Sequence, residues 1–233
     1  MSRNPIIVAL DVNSAAQAFR LVDDLGDRVD FYKVGLELFT AEGMPFVREL
    51  GSRGKQVFLD LKLYDIGETV KRTVAVAAQS NATYLTVHGS QSIMRAAREG
   101  RGNSHLKLLA VTVLTSFTEQ DLSDLGYKTS ISDLVAVRTE SAKASGMDGI
   151  VCSPLEAARV RSIAGADMVI VTPGVRSRSA DAGDQKRIAT PADAMTAGAN
   201  HIVVGRQVTR AADPRAAVDQ ILQEIEAATT LRR

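Results

Sequence analysis

The chain has 233 residues, a single cysteine and a formal net charge of +1. Hydrophobic residues make up 45% of it and charged residues 24%, which is the composition of a globular protein able to bury a core. A nearly balanced charge gives no reason to expect nucleic acid or an anionic membrane as a partner.

The single cysteine, Cys152, excludes an internal disulfide and fits a reducing compartment. It lies in the apolar run DGIVCS, which predicts a buried thiol rather than a nucleophile. The N-terminal segment lacks the apolar core of a signal peptide, and no run of 18 apolar residues occurs. We therefore expect a cytoplasmic protein without a membrane segment.

Eight short apolar runs, many of them β-branched, recur along the chain and are typical of strands buried on both faces. They are 6–10, 31–35, 56–60, 84–88, 108–113, 149–152, 168–172 and 201–205. Alanine-rich amphipathic stretches between them predict helices. Two of these open on a candidate serine cap, Ser14 and Ser132, and end on glycine. Two others open with Ser-Pro or Thr-Pro, which puts proline at the first helical position.

Strands that alternate with about eight helices indicate a parallel sheet, because parallel strands need crossover connections. Eight such repeats in 233 residues fit a closed (β/α)8 TIM barrel better than an open doubly wound sheet. No G-x-G-x-x-G follows the first strand, which removes the main sign of a dinucleotide-binding fold. We predict one α/β barrel domain over 1–233, with a mobile loop at about 176–187.

Seven of the eight predicted strands end in polar segments, and barrel enzymes place their chemistry at this end. The residues there are Asp11, Lys33, Asp60 with Lys62, His88, Thr115 with Ser116, Pro173 with Gly174 and Arg176, and Gly205 with Arg206. Such a concentration predicts an active site. For His88, a histidine buried in the core with satisfied hydrogen bonds is at least as good an interpretation.

The stretch FLDLKLYDIGET, residues 58–69, places Asp60, Lys62 and Asp65 where a buried strand stops. Residues two apart share a face of a strand, with Cα atoms about 7 Å apart, so the charged ends of Asp60 and Lys62 can touch. For an isolated D-x-K pair, a structural salt bridge is a better interpretation than a catalytic role. Only the surroundings can decide between these interpretations.

Glycine and arginine follow the seventh and eighth strands, in TPGVR and VVGR. Loops at these positions in barrels often present backbone N–H groups to a phosphate, and arginine pairs with phosphate oxygens in a bidentate manner. A phosphate site that includes Arg206 is therefore predicted. For Arg176, a plain surface charge is an equally good interpretation.

The segments ALDV, YKVG, DLKLYDIGET, VTVLTS, VTPGVR…GDQKR and VVGRQV together resemble orotidine 5'-monophosphate decarboxylase. The resemblance runs from about residue 6 to 215. Its D-x-K-x-x-D element is shared with sugar-phosphate decarboxylases and synthases of the same barrel superfamily. The LTS segment and the glutamine of GDQ would lie on the pyrimidine side of the site. They favour orotidine 5'-monophosphate decarboxylase over the sugar-phosphate enzymes.

The resemblance implies a role for each site residue. Lys62 would be the proton donor, flanked by Asp60 and Asp65. The family is a homodimer, in which Asp65, Ile66 and Thr69 would reach into the neighbouring subunit's site. Substrate contacts would come from Asp11 and Lys33 at the ribose, Thr115 and Ser116 at the pyrimidine, Gln185 between base and phosphate, and Pro173, Arg176, Gly205 and Arg206 around the phosphate.

Loss of CO₂ from C6 of orotidine monophosphate leaves a carbanion without an adjacent carbonyl. We expect neither cofactor nor metal, so the protein must supply charge and a proton. One carboxylate 4 Å from the Lys62 ammonium is worth about 4 kcal/mol at an effective dielectric constant of 20, which should keep it charged. It can then stabilise and protonate the carbanion, while Asp60 repels the substrate carboxylate.

Two alternatives stay open. A sugar-phosphate enzyme of the same superfamily would need an acidic ligand for Mg²⁺ near the end of the second strand, where Glu37 is the only candidate. A non-enzymatic nucleotide sensor would bind its ligand without turnover. Metal dependence and turnover discriminate among the three.

Overall fold

Eight parallel strands pair in chain order and close into a barrel, which confirms the predicted (β/α)8 fold. The computed structural model describes residues 4–177 and 189–230. The strands are β1 Ile6–Ala9, β2 Phe31–Gly35, β3 Gln56–Leu63, β4 Tyr84–His88, β5 Lys107–Val111, β6 Gly149–Val151, β7 Val169–Thr172 and β8 His201–Val204.

Helices connect the strands on the outside of the barrel. Those within the described ranges are α1 Ala15–Leu25, α2 Leu36–Ser52, α3 Gly67–Ala77, α4 Gln91–Arg101, α5 Glu119–Asp124, α6 Ile131–Ala144, α7 Ala157–Ala164, α8 Pro191–Thr196, α9 Arg206–Thr209 and α10 Pro214–Thr230. Two 3₁₀ turns, Gly26–Arg28 and Pro154–Glu156, complete the set. Across the described ranges, no helix is long and apolar enough to cross a bilayer.

Most predicted helix ends are confirmed, and one is wrong. Ser14 caps α1, and Gly26 ends it with a positive φ of 55°, which glycine adopts without strain. The cap of α6 is Ser130 rather than Ser132. Ser130 accepts the N–H of Asp133 at 3.1 Å and its hydroxyl also meets the Asp133 carboxylate at 2.8 Å. Ser132 lies within the first turn, where its side chain contacts Arg159 instead.

The alternation of side chains along the strands fills the barrel interior and prepares the site. The inward-facing buried residues are Ile7, Ala9, Phe31, Phe58, Tyr84, Leu109, Val111, Val151, Val171 and Val203. With a period of two, the next inward positions on β1 to β4 belong to Asp11, Lys33, Asp60 and Thr86. A dry apolar core is therefore followed at once by a polar layer at the C-terminal end of the barrel.

Strand β3 extends to Leu63, three residues beyond the predicted end. Its pairing with β4 shifts between Leu59 and Leu63, which marks an irregularity in the strand. Within that irregularity, Lys62 adopts a positive φ of 47°. A residue other than glycine in this conformation costs about 1–3 kcal/mol, so the surrounding structure must hold Lys62 there.

Candidate active site

A cavity of about 210 Å³ opens at the C-terminal ends of the strands. Its floor is apolar and continues the barrel interior through Val111, Val151 and Val203. Nine residues predicted from the sequence line it, namely Asp11, Lys33, Asp60, Lys62, Thr115, Pro173, Gly174, Arg176 and Gly205. Cys152 is buried as predicted, and it also lines this cavity.

Four charged side chains from the first three strands form a row of alternating sign. Lys33 Nζ lies 2.8 Å from Asp11 Oδ1 and 4.0 Å from Asp60 Oδ2. Lys62 Nζ lies 2.9 Å from the same Asp60 oxygen. The Lys33 and Asp60 side chains are 11% and 13% exposed, so the centre of the row is shielded from solvent and its charges interact strongly. Lys62 is the more open lysine, with 34% of its side chain exposed to the cavity mouth.

Gly35 at the end of β2 leaves room for this row. A Cβ atom at this position would lie 2.8 Å from Lys33 Nζ and 3.4 Å from Asp11 Oδ1. Because the lysine tip is flexible, an added methyl group would displace it from Asp11 rather than disrupt the strand. The absence of a side chain at Gly35 is therefore needed for the Lys33–Asp11 ion pair rather than for the stability of the strand.

Thr86 on β4 joins the backbone of Lys62 to the side chain of Asp60. The Lys62 N–H donates to Thr86 Oγ1 at 2.9 Å, and the Thr86 hydroxyl donates to Asp60 Oδ1 at 3.0 Å. No role for Thr86 was predicted from the sequence. The signal was present in YLTVH, where Thr86 shares the inward phase of Tyr84 on the strand next to Asp60.

The loops after β7 and β8 form the part of the cavity wall next to Asp11, because β8 pairs with β1. Arg176 is 9% exposed, which contradicts its interpretation as a surface charge. The Gln207 side chain accepts the N–H of Ser177 at 3.1 Å and donates to its hydroxyl at 2.6 Å. This contact ties the β7 loop to α9. Arg206 is exposed at the start of α9, directly after Gly205, which lines the cavity.

The remaining predicted residues lie elsewhere. Ser116 follows Thr115 but does not line the cavity. Asp65 and Thr69 line a separate cleft beside β3, and Ile66 is 77% exposed. Among the described residues Asp65 forms no ion pair, and its carboxylate accepts the N–H of Ile66 at 2.6 Å. Gln185 lies outside the described residues, as does most of the predicted loop.

His88 lies in a larger groove of about 800 Å³ that shares Lys62 with the cavity. Its ring meets the edge of Tyr64, with ring centroids 5.8 Å apart. Burial, reinforced by the positive charges of Arg138 and Lys62, lowers the pKa of His88 from 6.5 to about 4. His88 is therefore neutral near pH 7 and adds no cation to the site.

This lowered pKa predicts that His88 makes the fold less stable in acid. Between pH 6.5 and 4 the unfolded chain binds the proton that folded His88 excludes, so the free energy of unfolding falls as the pH falls. Discounted for its partial exposure, the loss is about 1–2 kcal/mol. Urea unfolding at pH 7 and pH 4.5 should show a smaller loss in His88→Gln than in the wild type. His105→Gln, at an exposed histidine, should behave like the wild type, and an identical acid loss in all three would contradict the assignment.

The acidic ligand required by a sugar-phosphate enzyme is not found at the cavity. Glu37 is exposed and does not line it, and the charged residue that β2 contributes is Lys33, in an ion pair with Asp11. No group of three histidine, cysteine or acidic side chains suited to a metal occurs within 4–177 and 189–230. The donor set therefore does not fit a magnesium site of that kind.

Comparisons with known proteins agree with this geometry. The family model of the orotidine 5'-phosphate decarboxylase / HUMPS family matches residues 4–221. The chain is 54% identical to an orotidine 5'-phosphate decarboxylase of Rhodopseudomonas palustris (strain BisB5), over 97% of each chain. It is 51% identical to one of Caulobacter sp. (strain K31), over 97% of this chain and 99% of that one. A crystal structure of orotidine 5'-phosphate decarboxylase from Lactobacillus acidophilus superposes with a TM-score of 0.84 at 37% identity, covering 96% of this chain and 99% of the other. The family model and these relatives match nearly the whole length of the chain, including the cavity residues Asp60 and Lys62. The chain therefore belongs to the orotidine 5'-phosphate decarboxylase / HUMPS family.

Proposed function

We propose that the protein is an orotidine 5'-phosphate decarboxylase, which converts orotidine 5'-monophosphate to uridine 5'-monophosphate and CO₂ in pyrimidine biosynthesis. The observation that carries this proposal is the row from Asp11 through Lys33 and Asp60 to Lys62 in one cavity. It occurs in a chain 54% identical to a relative of that name.

The phosphate would bind at the wall formed by the loops after β7 and β8. Buried Arg176 faces this cavity, the backbone of Gly205 lines it, and Arg206 follows directly. Arginine offers parallel N–H groups that match two phosphate oxygens. The ribose would lie at Asp11 and Lys33, whose ion pair at 2.8 Å supplies both an acceptor and a donor for hydroxyl groups. This arrangement would leave C6 of the base close to Lys62.

The chemical step would rest on the Lys62 ammonium. As CO₂ leaves, the electron pair of the breaking C–C bond stays on C6, and a positive charge held beside it lowers the energy of the transition state. Lys62 then gives a proton to C6 and completes the product. Asp60 Oδ2, at 2.9 Å, orients the ammonium. It also places a negative charge where the substrate carboxylate must sit, a repulsion that ends when neutral CO₂ departs.

The other roles implied by the resemblance remain proposals. Thr115 and Ser116 would contact the pyrimidine, Pro173 would border the phosphate, and Gln185 would bridge base and phosphate. The position of Thr115 on the cavity wall supports the first of these. We also propose that 1–233 forms a single domain, since the family model spans most of it. A cytoplasmic location is proposed from the single cysteine and the reducing compartment that it fits.

We propose that the active unit is a homodimer in which Asp65, Ile66 and Thr69 of the partner subunit complete each site. Exposed apolar side chains beside the cavity support this, with Tyr64 at 70% and Ile66 at 77% exposure. The groove next to them is lined by apolar residues that include Phe117, Leu122 and Leu125. Large apolar side chains exposed to this degree are typical of protein interfaces.

The direct test follows the absorbance of orotidine 5'-monophosphate near neutral pH in excess EDTA. We expect rapid decay, with uridine 5'-monophosphate as the product. Decay that requires added Mg²⁺, or that occurs only with a sugar phosphate, would replace this proposal with the sugar-phosphate alternative. Tight binding of the nucleotide without turnover would indicate a sensor.

The phosphate site yields a separate prediction for Arg206. Arg206→Ala should lower kcat/KM about 100-fold, because a charge-assisted bidentate contact to phosphate contributes up to about 3 kcal/mol. Most of the change should appear in KM, since the phosphate is remote from the reacting carbon. Arg210→Ala, one turn further along and also exposed, is the matched control and should retain wild-type kinetics. Equal kinetics for both variants would remove Arg206 from the phosphate site.

A further inference from the structure

We infer that Thr86 is a positioning residue, whose single hydroxyl fixes both the left-handed backbone of Lys62 and the rotation of the Asp60 carboxylate for proton transfer. This inference rests on the proposed decarboxylation for its catalytic meaning. Its structural half, the link from Thr86 to Lys62, is independent of the reaction. Both halves follow from contacts at the break in the β3–β4 ladder.

The hydroxyl of Thr86 has one proton, so it can donate only one full hydrogen bond, while its oxygen can accept others. As an acceptor it receives the N–H of Lys62 at 2.9 Å. As a donor it has two candidates, Asp60 Oδ1 at 3.0 Å and the carbonyl of Leu59 at 3.5 Å. The shorter contact to an ionised oxygen is the stronger one. The hydroxyl therefore forms a bridge from the Lys62 backbone to the Asp60 side chain.

The Lys62 N–H depends on this bridge because the hydrogen-bond ladder between β3 and β4 is interrupted at Lys62. Pairing between β3 and β4 runs from Phe58 to Leu59 and resumes only at Leu63. In this gap Lys62 takes its φ of 47°, and the Thr86 oxygen replaces the backbone acceptor of a regular ladder. A buried N–H without a partner is costly, so the bridge helps to hold the unusual conformation. That conformation in turn directs the Lys62 side chain into the cavity.

Asp60 depends on the bridge for its orientation. Its Oδ1 accepts from Thr86, which leaves Oδ2 for Lys62 at 2.9 Å and Lys33 at 4.0 Å. A carboxylate held at both oxygens cannot rotate without losing one of these contacts. Without Thr86, the carboxylate could turn and draw the Lys62 ammonium away from C6.

Threonine suits this position for a physical reason. Thr86 is fully buried between β3 and β5, and its branched Cβ restricts χ1, so the hydroxyl is held towards Asp60. Valine has nearly the same shape without the hydroxyl, whereas serine keeps the hydroxyl and loses the methyl group. The two substitutions therefore separate hydrogen bonding from packing.

The first readout is the kinetics of Thr86→Val and Thr86→Ser with orotidine 5'-monophosphate. We expect Thr86→Val to lower kcat about 100-fold with KM within about threefold, because the phosphate site is untouched. Thr86→Ser should stay within about tenfold of the wild type in kcat. Thr139→Val is the matched control and should keep wild-type kcat, since its buried hydroxyl donates to the Val135 carbonyl within α6, away from the cavity. Should Thr86→Val not fold, Thr86→Ala carries the same expectation.

The second readout is amide hydrogen exchange at Lys62, which needs no turnover. Thr86→Val should speed this exchange about tenfold or more relative to the wild type, while Thr86→Ser and Thr139→Val should leave it unchanged. A Thr86→Val enzyme with wild-type kcat, or with wild-type exchange at Lys62, overturns the inference. If the wild type does not decarboxylate the nucleotide, the proposed function fails. The exchange result then decides alone whether Thr86 holds Lys62.

Discussion

Lys62→Ala should lower kcat for orotidine 5'-monophosphate by about 10⁵-fold. A positioned proton donor is worth about 10²–10⁴ in rate and a charge aimed at the transition state about 10²–10³, and one ammonium performs both tasks here. The geometry restricts this loss to the chemical step. Lys62 lies beside Asp60 on β3, across the cavity from the loops proposed to bind the phosphate.

Binding and folding should survive the substitution, which makes the result interpretable. Asp60 keeps its contacts to Thr86 at 3.0 Å and Lys33 at 4.0 Å, so its charge is not left unpaired. The affinity for uridine 5'-monophosphate, measured by calorimetry, should change by less than about fivefold, because Lys62 acts on the transition state more than on the product.

Two further variants sharpen the test of Lys62. Lys71→Ala is the matched control, since Lys71 pairs with Glu99 at 2.9 Å between α3 and α4, outside the barrel, and should have no effect on rate. Lys62→Arg keeps a positive charge that cannot be deprotonated in a protein, so it separates charge from proton supply. We expect it to remain at least about 10³-fold below the wild type. If Lys62→Ala kept a tenth of the wild-type kcat, the proton would have to come from another group.

The barrel and the charged row could be predicted from the sequence because both depend on local patterns. Each strand is a short apolar run, and Lys33 and Asp60 within their strands and Asp11 just after its strand continue the inward phase. Parallel strands bring such ends together whatever the details of the helices. The proximity of these residues therefore needed no knowledge of contacts across the fold.

The features that the sequence did not predict depend on neighbours distant in the chain. The positive φ of Lys62 arises from a register shift against β4, and Thr86 contributes through contacts with residues 24 and 26 positions away. The contact between Ser177 and Gln207 spans 30 positions. The cap of α6 was predicted at Ser132, whereas Ser130 forms it through side-chain contacts with Asp133. Motif resemblance located the site, and only the tertiary contacts explain how it is held.

Mixing inactive Asp65→Asn and Lys62→Ala enzymes should restore activity if each site is shared between two subunits. In a mixed dimer, the subunit with Asp65→Asn still supplies Lys62, and its partner still supplies Asp65. One of the two sites is then fully wild type and the other carries both changes. At equal concentrations half of the dimers are mixed, so about a quarter of the wild-type activity should appear after subunit exchange.

The position of Asp65 is the reason to expect this result. Asp65 is exposed and lines a cleft beside β3 that shares Lys62 with the cavity. Its carboxylate accepts the N–H of Ile66, and among the described residues it forms no ion pair with Lys62. An acid so placed has no evident effect on its own site, yet the exposed side chain of Ile66 beside it offers apolar surface to a neighbour. Glu68→Gln, at an exposed acid on the next turn of the same segment, is the control and should be active before any mixing.

Four measurements separate the possible outcomes of the exchange. Recovery that rises with time and saturates near a quarter supports a shared site, and sedimentation should show a dimer throughout. A dimer that exchanges subunits, demonstrated with a tagged copy, but recovers no activity would confine each site to one chain. Full activity of Asp65→Asn on its own would remove this acid from the chemistry. In that case Lys62 would work with Asp60 and Lys33 alone, and the second acid of the D-x-K-x-x-D element would serve only to shape the start of α3.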